Sequence, residues 1–189
     1  MAESPSKEKR YPRDSEKTKN RILESAQELF SNSSYDHVRS RDIAQKAGVD
    51  VALVNRYFGS KKGLFLAVLN TLEANRPDLE SDDLQSRLCD DFIKRLKGEG
   101  YQKTAAGVRL IELSSSCAEV APLIRERMAD EIALLTEKLG GGDKTNATAL
   151  VAYAIGMHTL FRLLSDEERK ALDADALLEP VRAVLRQKS

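Results

Sequence analysis

The chain has little of what most chemistry needs. Two cysteines, Cys89 and Cys117, in 189 residues are too few for a disulfide framework or a zinc site. Only two histidines occur, His37 and His158. No Ser-His-Asp arrangement can be assembled around either, and no His, Cys or carboxylate cluster has metal-ligand spacing. The adjacent acids Asp82-Asp83 and Asp90-Asp91 point different ways on helices and read as solvated faces. An enzyme is therefore not expected, nor a cofactor or a bound metal. No stretch approaches 18 apolar residues, which excludes a membrane-spanning helix. The N-terminus is charged and has no apolar segment after its basic residues, so it does not read as a secretory signal, and the expected compartment is the cytoplasm. Period-2 alternation and hairpin turn signals are nearly absent, which leaves little room for sheet.

Net charge is absent too: 30 Lys and Arg balance 30 Asp and Glu. The balance conceals a division. Residues 1–70 carry 13 cationic and 9 acidic side chains, a surplus of +4, and residues 71–189 carry 17 and 21, a surplus of −4. A polyanion would be drawn to the first part and repelled by the second.

With 41% apolar and 32% charged residues the composition is that of a globular protein. Residues 1–14, rich in Lys, Glu, Ser and Pro, read as a disordered basic arm. Beyond them every apolar pattern is helical. Breaks at Pro77, Gly98–Gly100, Pro122, Gly140–Gly142 and near Asp166 delimit helices over Lys62–Asn75, Ser81–Leu96, Gln102–Ser116, Pro122–Leu139, Thr145–Leu164 and Asp175–Arg186. The expected fold is all-α.

The densest information lies in residues 37–66, HVRSRDIAQKAGVDVALVNRYFGSKKGLFL. Ile43, Ala44 and Ala47 share one face of a short helix that Ser40 is placed to cap, with Asp42 in its first turn. Gly48 follows where the chain needs a left-handed residue. Asp50 caps a second helix whose Val51, Val54 and Phe58 face inward, leaving Ala52, Asn55, Arg56 and Tyr57 largely outside. Gly59-Ser60 breaks that helix, and Lys61 then stands at a helix N-terminus, where free amides and a cation attract phosphate. Two short helices joined by a tight turn form a helix-turn-helix, the device that sets one helix in the major groove of DNA.

These residues resemble the DNA-binding domain of the tetracycline-repressor (TetR) family of transcriptional regulators. The likeness rests on TKNRILESAQELF at residues 18–30, Ser40-Arg41-Asp42-Ile43-Ala44, Ala47-Gly48-Val49-Asp50 and Arg56-Tyr57-Phe58-Gly59-Ser60-Lys61. It covers about residues 15–70. It implies an N-terminal three-helix helix-turn-helix domain, residues 15–62, and a C-terminal helical ligand-binding and dimerisation domain, residues 63–189. Carried over residue by residue, it implies that Arg41 reads a base and that Ser40 contacts phosphate beside it. Ala52 and Leu53 would face bases, Tyr57 and Lys61 phosphates, and Thr18 and Arg21 phosphates at the start of the first helix. Many members have tyrosine where this chain has Asn55. Asparagine can bond a phosphate or an adenine edge, and both roles stay open.

The Thr145–Leu164 segment is apolar on most of its surface, so it must be covered on most sides. Ala149, Ala152 and Gly156 keep one side small, while Tyr153 and Leu160 add bulk. With Leu177, Val181, Val184 and Leu185 of the last helix they are the candidate homodimer interface, which fits a protein reading two half-sites by two-fold symmetry. The alternative is the central helix of a monomer. The resemblance also implies a pocket for a small apolar or amphipathic ligand. Phe92, Leu96, Tyr101 and Leu110 are candidates to line it, with Met128, Met157, His158 and Phe161; simple packing accounts for each equally well. Arg109 and Glu112, at i and i+3, read as an exposed ion pair. The function these features imply is a sequence-specific DNA-binding regulator, a repressor released from a palindromic operator by a small molecule. The competing reading is a helical scaffold with a vestigial helix-turn-helix.

Overall fold

The computed structural model describes residues 12–73, 89–90, 93, 101–141 and 143–186, and among the described residues there is no strand. The expected helix over Ser81–Leu96 falls almost wholly outside the described residues, as does most of the N-terminal arm. Helix α1 starts at Pro12, so residues 12–14, expected in the arm, form its first turn. Proline suits that position because the amide it lacks would have no helical partner there.

Helix α1 (Pro12–Asn32) buries Ile22, Ala26 and Phe30, spaced by four along one face. A short 3-10 turn, Tyr35–His37, leads to α2 (Ser40–Ala47) and α3 (Val51–Phe58). Helix α4 (Lys61–Glu73) then returns across α1 and buries Leu64, Phe65, Val68 and Leu69. At the centre Phe30, Tyr35 and Phe65 form an aromatic triangle. Phe65 meets the other two rings edge-on at 5.1 and 5.3 Å, and Phe30 stacks on Tyr35 at 5.9 Å.

Helix α5 (Tyr101–Ser114) lies along α1 and adds Leu110 to this core. Cys117, Val120 and Ile124 extend it into the start of α6 (Ala121–Lys138), so one apolar cluster runs from the first helix to the sixth. A second cluster pairs α7 (Thr145–Leu163) with α9 (Ala174–Arg186): Leu150 packs with Leu178, Val181 and Leu185, and Cys89 joins them. Between α7 and α9, where a break is expected near Asp166, Asp166–Lys170 forms a short helix α8; Ser165 and Glu168 close a capping box at its start.

Polar contacts tie α5 to its neighbours. Ser31 Oγ donates to the Ala106 carbonyl at 2.9 Å, and Arg109 donates to Asn32 Oδ1 at 2.8 Å. Glu112 pairs with Arg162 of α7 at 3.1 Å. The Arg109–Glu112 pair expected along one helix is thus replaced by two contacts between helices.

Candidate nucleic-acid interface

The α2–turn–α3 unit is built almost entirely from local chemistry. At its entry the Asp42 carboxylate accepts from the Arg39 amide at 3.0 Å. Arg39 is therefore the N-terminal cap and Ser40 the first helical residue, one position later than the expected Ser40 cap. A side chain three residues into the helix reaches back and satisfies the free amide, so no hydroxyl cap is needed. At the exit Gly48 adopts φ 63°; its amide donates to Gln45 O at 3.1 Å and that of Val49 to Ala44 O at 3.0 Å. This closure needs a left-handed residue. Asp50 Oδ1 then accepts from Ala52 N at 2.7 Å and starts α3. After Gly59, Ser60 Oγ accepts from Gly63 N at 3.0 Å and starts α4.

The outward side of this unit carries Arg41 on α2 and Ala52, Asn55 and Arg56 on α3, all exposed. On α3 these positions stand at i, i+3 and i+4, a single face. Val54 is fully buried opposite them, with Val51 and Phe58 half-buried against the core. Leu53 is half-buried, as are Ser40, Thr18 and Tyr57. The Tyr57 hydroxyl is hydrogen-bonded to Ser15 Oγ of α1 at 3.1 Å. Two of the expected phosphate cations bond main-chain carbonyls of the chain itself. Lys61 Nζ donates to the carbonyls of Tyr35 at 3.0 Å and Val38 at 3.2 Å, and sits 3.8 Å above the Tyr35 ring. Arg21 donates to the Ala47 and Gly48 carbonyls at the end of α2. Two exposed cations not singled out from the sequence, Arg39 and Lys62, flank the starts of α2 and α4. Arg39 is itself the cap of α2 and Lys62 lies in the first turn of α4, and that placement is the signal that could have found them.

Residues 22–68, which span this unit and parts of both flanking helices, match the sequence model of the family described as bacterial regulatory proteins, tetR family. Over those residues the chain is similar to the helix-turn-helix domain of the TetR family. No curated protein sequence matches the chain. Solved structures share its fold across nearly the full length. NalD, the secondary repressor of the MexAB-OprM multidrug efflux pump in Pseudomonas aeruginosa, is 24% identical over 91% of this chain and 97% of its own, with a TM-score of 0.67. A TetR-family transcriptional regulator from Agrobacterium tumefaciens is 20% identical over 92% and 98%, with a TM-score of 0.64. The multidrug binding protein EbrR, solved with imidazole, is 21% identical over 96% and 97%, with a TM-score of 0.62.

Tyr35, whose side chain is fully buried, is one of the residues that join the helix-turn-helix unit to the rest of the chain. Its amide donates to Ser114 Oγ at 3.2 Å and its hydroxyl to Glu119 Oε1 at 2.6 Å. Burial, reinforced by the hydrogen bond to the Glu119 carboxylate, holds this phenol far above its ordinary range. Beside it the Cys117 thiol donates to Asp36 Oδ1 at 3.3 Å.

Of the candidate pocket residues, Phe92, Leu96 and the Tyr101 side chain lie outside the described residues. Leu110 is buried in the core shared with α1 and α4. His158 and Phe161 are buried on the inner side of α7, Met157 is half-buried there, and Met128 packs half-buried on the main core.

The candidate dimer residues separate into two groups. Ala149, Ala152, Gly156 and Leu160 are exposed along one stripe of α7, which Leu163 continues at 74% exposure. Val181 and Leu185 are buried within the chain against α7, and Tyr153 donates its hydroxyl to the Leu177 carbonyl, so these three bind α9 to α7. Leu177 and Val184 are half-buried. The outward stripe of α9 is instead Ala176, Pro180 and Ala183, all exposed. The bulky stripe was consumed by the intrachain core, and the small one remains at the surface.

Proposed function

We propose that this protein is a homodimeric transcriptional regulator that seats α3 in the major groove of DNA and acts as a repressor at a near-palindromic operator. The observation that carries the reading is the α2–turn–α3 unit itself. Its caps and left-handed glycine set two helices at a fixed crossing, and Arg41, Ala52, Asn55 and Arg56 stand exposed on its outer side. Arg41 supplies a bidentate donor for a guanine edge, and Ala52 a methyl-sized contact. Asn55 stands one turn along on the same face, within reach of either a base edge or a phosphate. Exposed Arg39 and Lys62 supply charge for the backbone of the duplex.

The two-fold partner would meet the exposed apolar stripe of α7, from Ala149 to Leu163, and the Ala176-Pro180-Ala183 stripe of α9. Small residues on both helices allow close approach in a four-helix arrangement. Two heads would then address half-sites one or more helical turns, ~34–36 Å each, apart. Release by a small apolar or amphipathic molecule held near α6 and α7 is the regulatory part of the proposal. It draws on the fold shared with NalD, a repressor of an efflux pump, and with EbrR, a multidrug binding protein.

The test is selection of bound duplexes from a random or genomic pool at moderate salt. A two-fold symmetric motif is expected. A folded, dimeric protein that enriches no motif would sink the proposal and favour a helical scaffold.

A further inference from the structure

The two carbonyl-bonded cations, half-buried Lys61 and exposed Arg21, define a job that the position of a lysine or arginine near DNA conceals. Helix α2 has eight residues, about 12 Å of helix. Its buried residues are Ile43, Ala44 and Ala47, too small a face to fix its pitch by packing alone. Both of its ends are held by cations from other helices. Ahead of α2, Lys61 of α4 bonds the Val38 carbonyl and the Tyr35 carbonyl, with its ammonium over the Tyr35 ring. Behind α2, Arg21 of α1 bonds the Ala47 and Gly48 carbonyls, which are the end carbonyls of that helix and carry its negative partial charge. Space for the second contact is built in: a Cβ at Gly48 would stand 2.9 Å from the Arg21 guanidinium. Two of the three ammonium donors of Lys61 are thereby committed to protein carbonyls.

We infer that Lys61 and Arg21 are positioning residues that pin the two ends of α2, and through the turn fix the angle at which α3 is presented, rather than phosphate contacts. The inference rests on the DNA-binding reading above. What marks these two cations is their bonds to main-chain carbonyls around α2; Lys61 is half-buried, while Arg21 is exposed, as are Arg41, Arg39 and Lys62. A pin contributes to specific binding by holding the recognition helix in register, and contributes nothing to the counterions released when a phosphate is neutralised.

The salt dependence of binding tells the two roles apart, since each phosphate contact contributes about 0.9 to the slope of log K against log salt. The full chain, Lys61→Met and Arg21→Met are titrated with the selected duplex and with a scrambled duplex of equal length, across a potassium chloride series. Circular dichroism melts accompany each variant. Methionine keeps the length of the stem and removes the charge. The expected result is a specific affinity lower by about tenfold with scrambled binding and salt slope unchanged. Lys61→Arg and Arg21→Lys serve where the methionine variants do not fold. A pin fails even with its charge retained, because the geometry of the two carbonyl bonds is lost, whereas a phosphate contact is rescued. A slope lowered by about 0.9, with specific and scrambled affinity falling together, overturns the inference. So do affinities that stay at the parental value in all four variants. If the parent chain prefers no duplex, the functional reading fails. In that case the slope on scrambled DNA still decides the assignment: a reduced slope in either variant refutes it, and a parental slope with a lowered melting temperature sustains it.

Discussion

Gly63 is the position where one methyl group should do the most damage. It lies in the first turn of α4, and a Cβ built on it would stand 2.2 Å from the carbonyl oxygen of Phe58, the last residue of α3. Ordinary contact begins near 3.4 Å, so one of the two backbones would have to retreat by about 1.2 Å. The obstacle is main chain, which no rotamer change can move aside. In an open helix, glycine to alanine gains about 1 kcal/mol. Forcing an extra carbon into a filled space costs about 1–3 kcal/mol, and a rigid obstacle places it at the upper end. Gly63→Ala should therefore lose about 1–2 kcal/mol net, a fall of roughly 2–8 °C in melting temperature for a chain of this size. The displacement falls at the α3–α4 junction, so the recognition helix moves with it. A tenfold loss of specific DNA affinity corresponds to ~1.4 kcal/mol and is the expected order. Thermal melts followed by circular dichroism and fluorescence anisotropy with the selected duplex read both effects. A variant as stable as the parent, with unchanged affinity, would refute the steric reasoning.

Arg41→Ala should relax base preference at one operator position by about 1–3 kcal/mol and leave scrambled binding nearly unchanged, which a repeated selection with the variant would detect. Tyr35→Phe removes the hydroxyl donated to Glu119 and should cost about 1–2 kcal/mol, toward the low end because Glu119 is exposed and water can replace the phenol. The same phenol gives a pH signature. Its folded pKa is raised above the ordinary 10.0, so its contribution is intact below pH 10 and is lost as pH rises further. Alkaline melts of the parent should steepen above pH 10, and the phenylalanine variant should lose less there; parallel curves would remove Tyr35 from that account. Gly156→Leu adds bulk at a position where, among the described residues, nothing lies within 4 Å of a Cβ, so the fold should survive while dimer formation fails. Light scattering that still reports a dimer would move the interface elsewhere.

The parts of the site legible in the sequence are those written within a few residues. Gly48 needs its left-handed angle because of a closure spanning Ala44 to Val49, and Asp50 caps an amide two positions on. Such contacts depend on local spacing, so the helix-turn-helix could be read directly. The cap of α2 was displaced by one residue because Ser40 has the better side chain in isolation, while Asp42 reaches back and makes Arg39 sufficient. Contacts across longer separations left no local trace. Lys61 meets Tyr35 across 26 residues, Ser15 meets Tyr57 across 42, and Tyr35 meets Glu119 across 84. A lysine at a helix N-terminus is equally placed for a phosphate and for a carbonyl of its own chain, and only the packing of α4 on the 3-10 turn decides. Helix α9 poses the same problem on a larger scale. Its bulky stripe and its small stripe both suit a helix partner, and the partner of the bulky one turned out to be α7 of the same chain.

Tyr35 connects these observations. Lys61 holds its carbonyl and the face of its ring, while Glu119 and Ser114 hold its hydroxyl and amide. One buried residue thus lies between the pin at the entry of α2 and the segment that links α5 to α6. Its ring is locked between Phe30 and Phe65, so it cannot tilt without disturbing that aromatic packing. A rearrangement that pulled Glu119 away would leave the phenol at the mouth of an apolar core with its donor unmet, which costs about 1–3 kcal/mol. Tilting the ring to recover a partner would move the carbonyl that Lys61 holds. Hydrogen bonds at Tyr35 thus connect the segment between α5 and α6 to the carbonyl that Lys61 holds, and each can be removed singly to test whether the two ends are coupled.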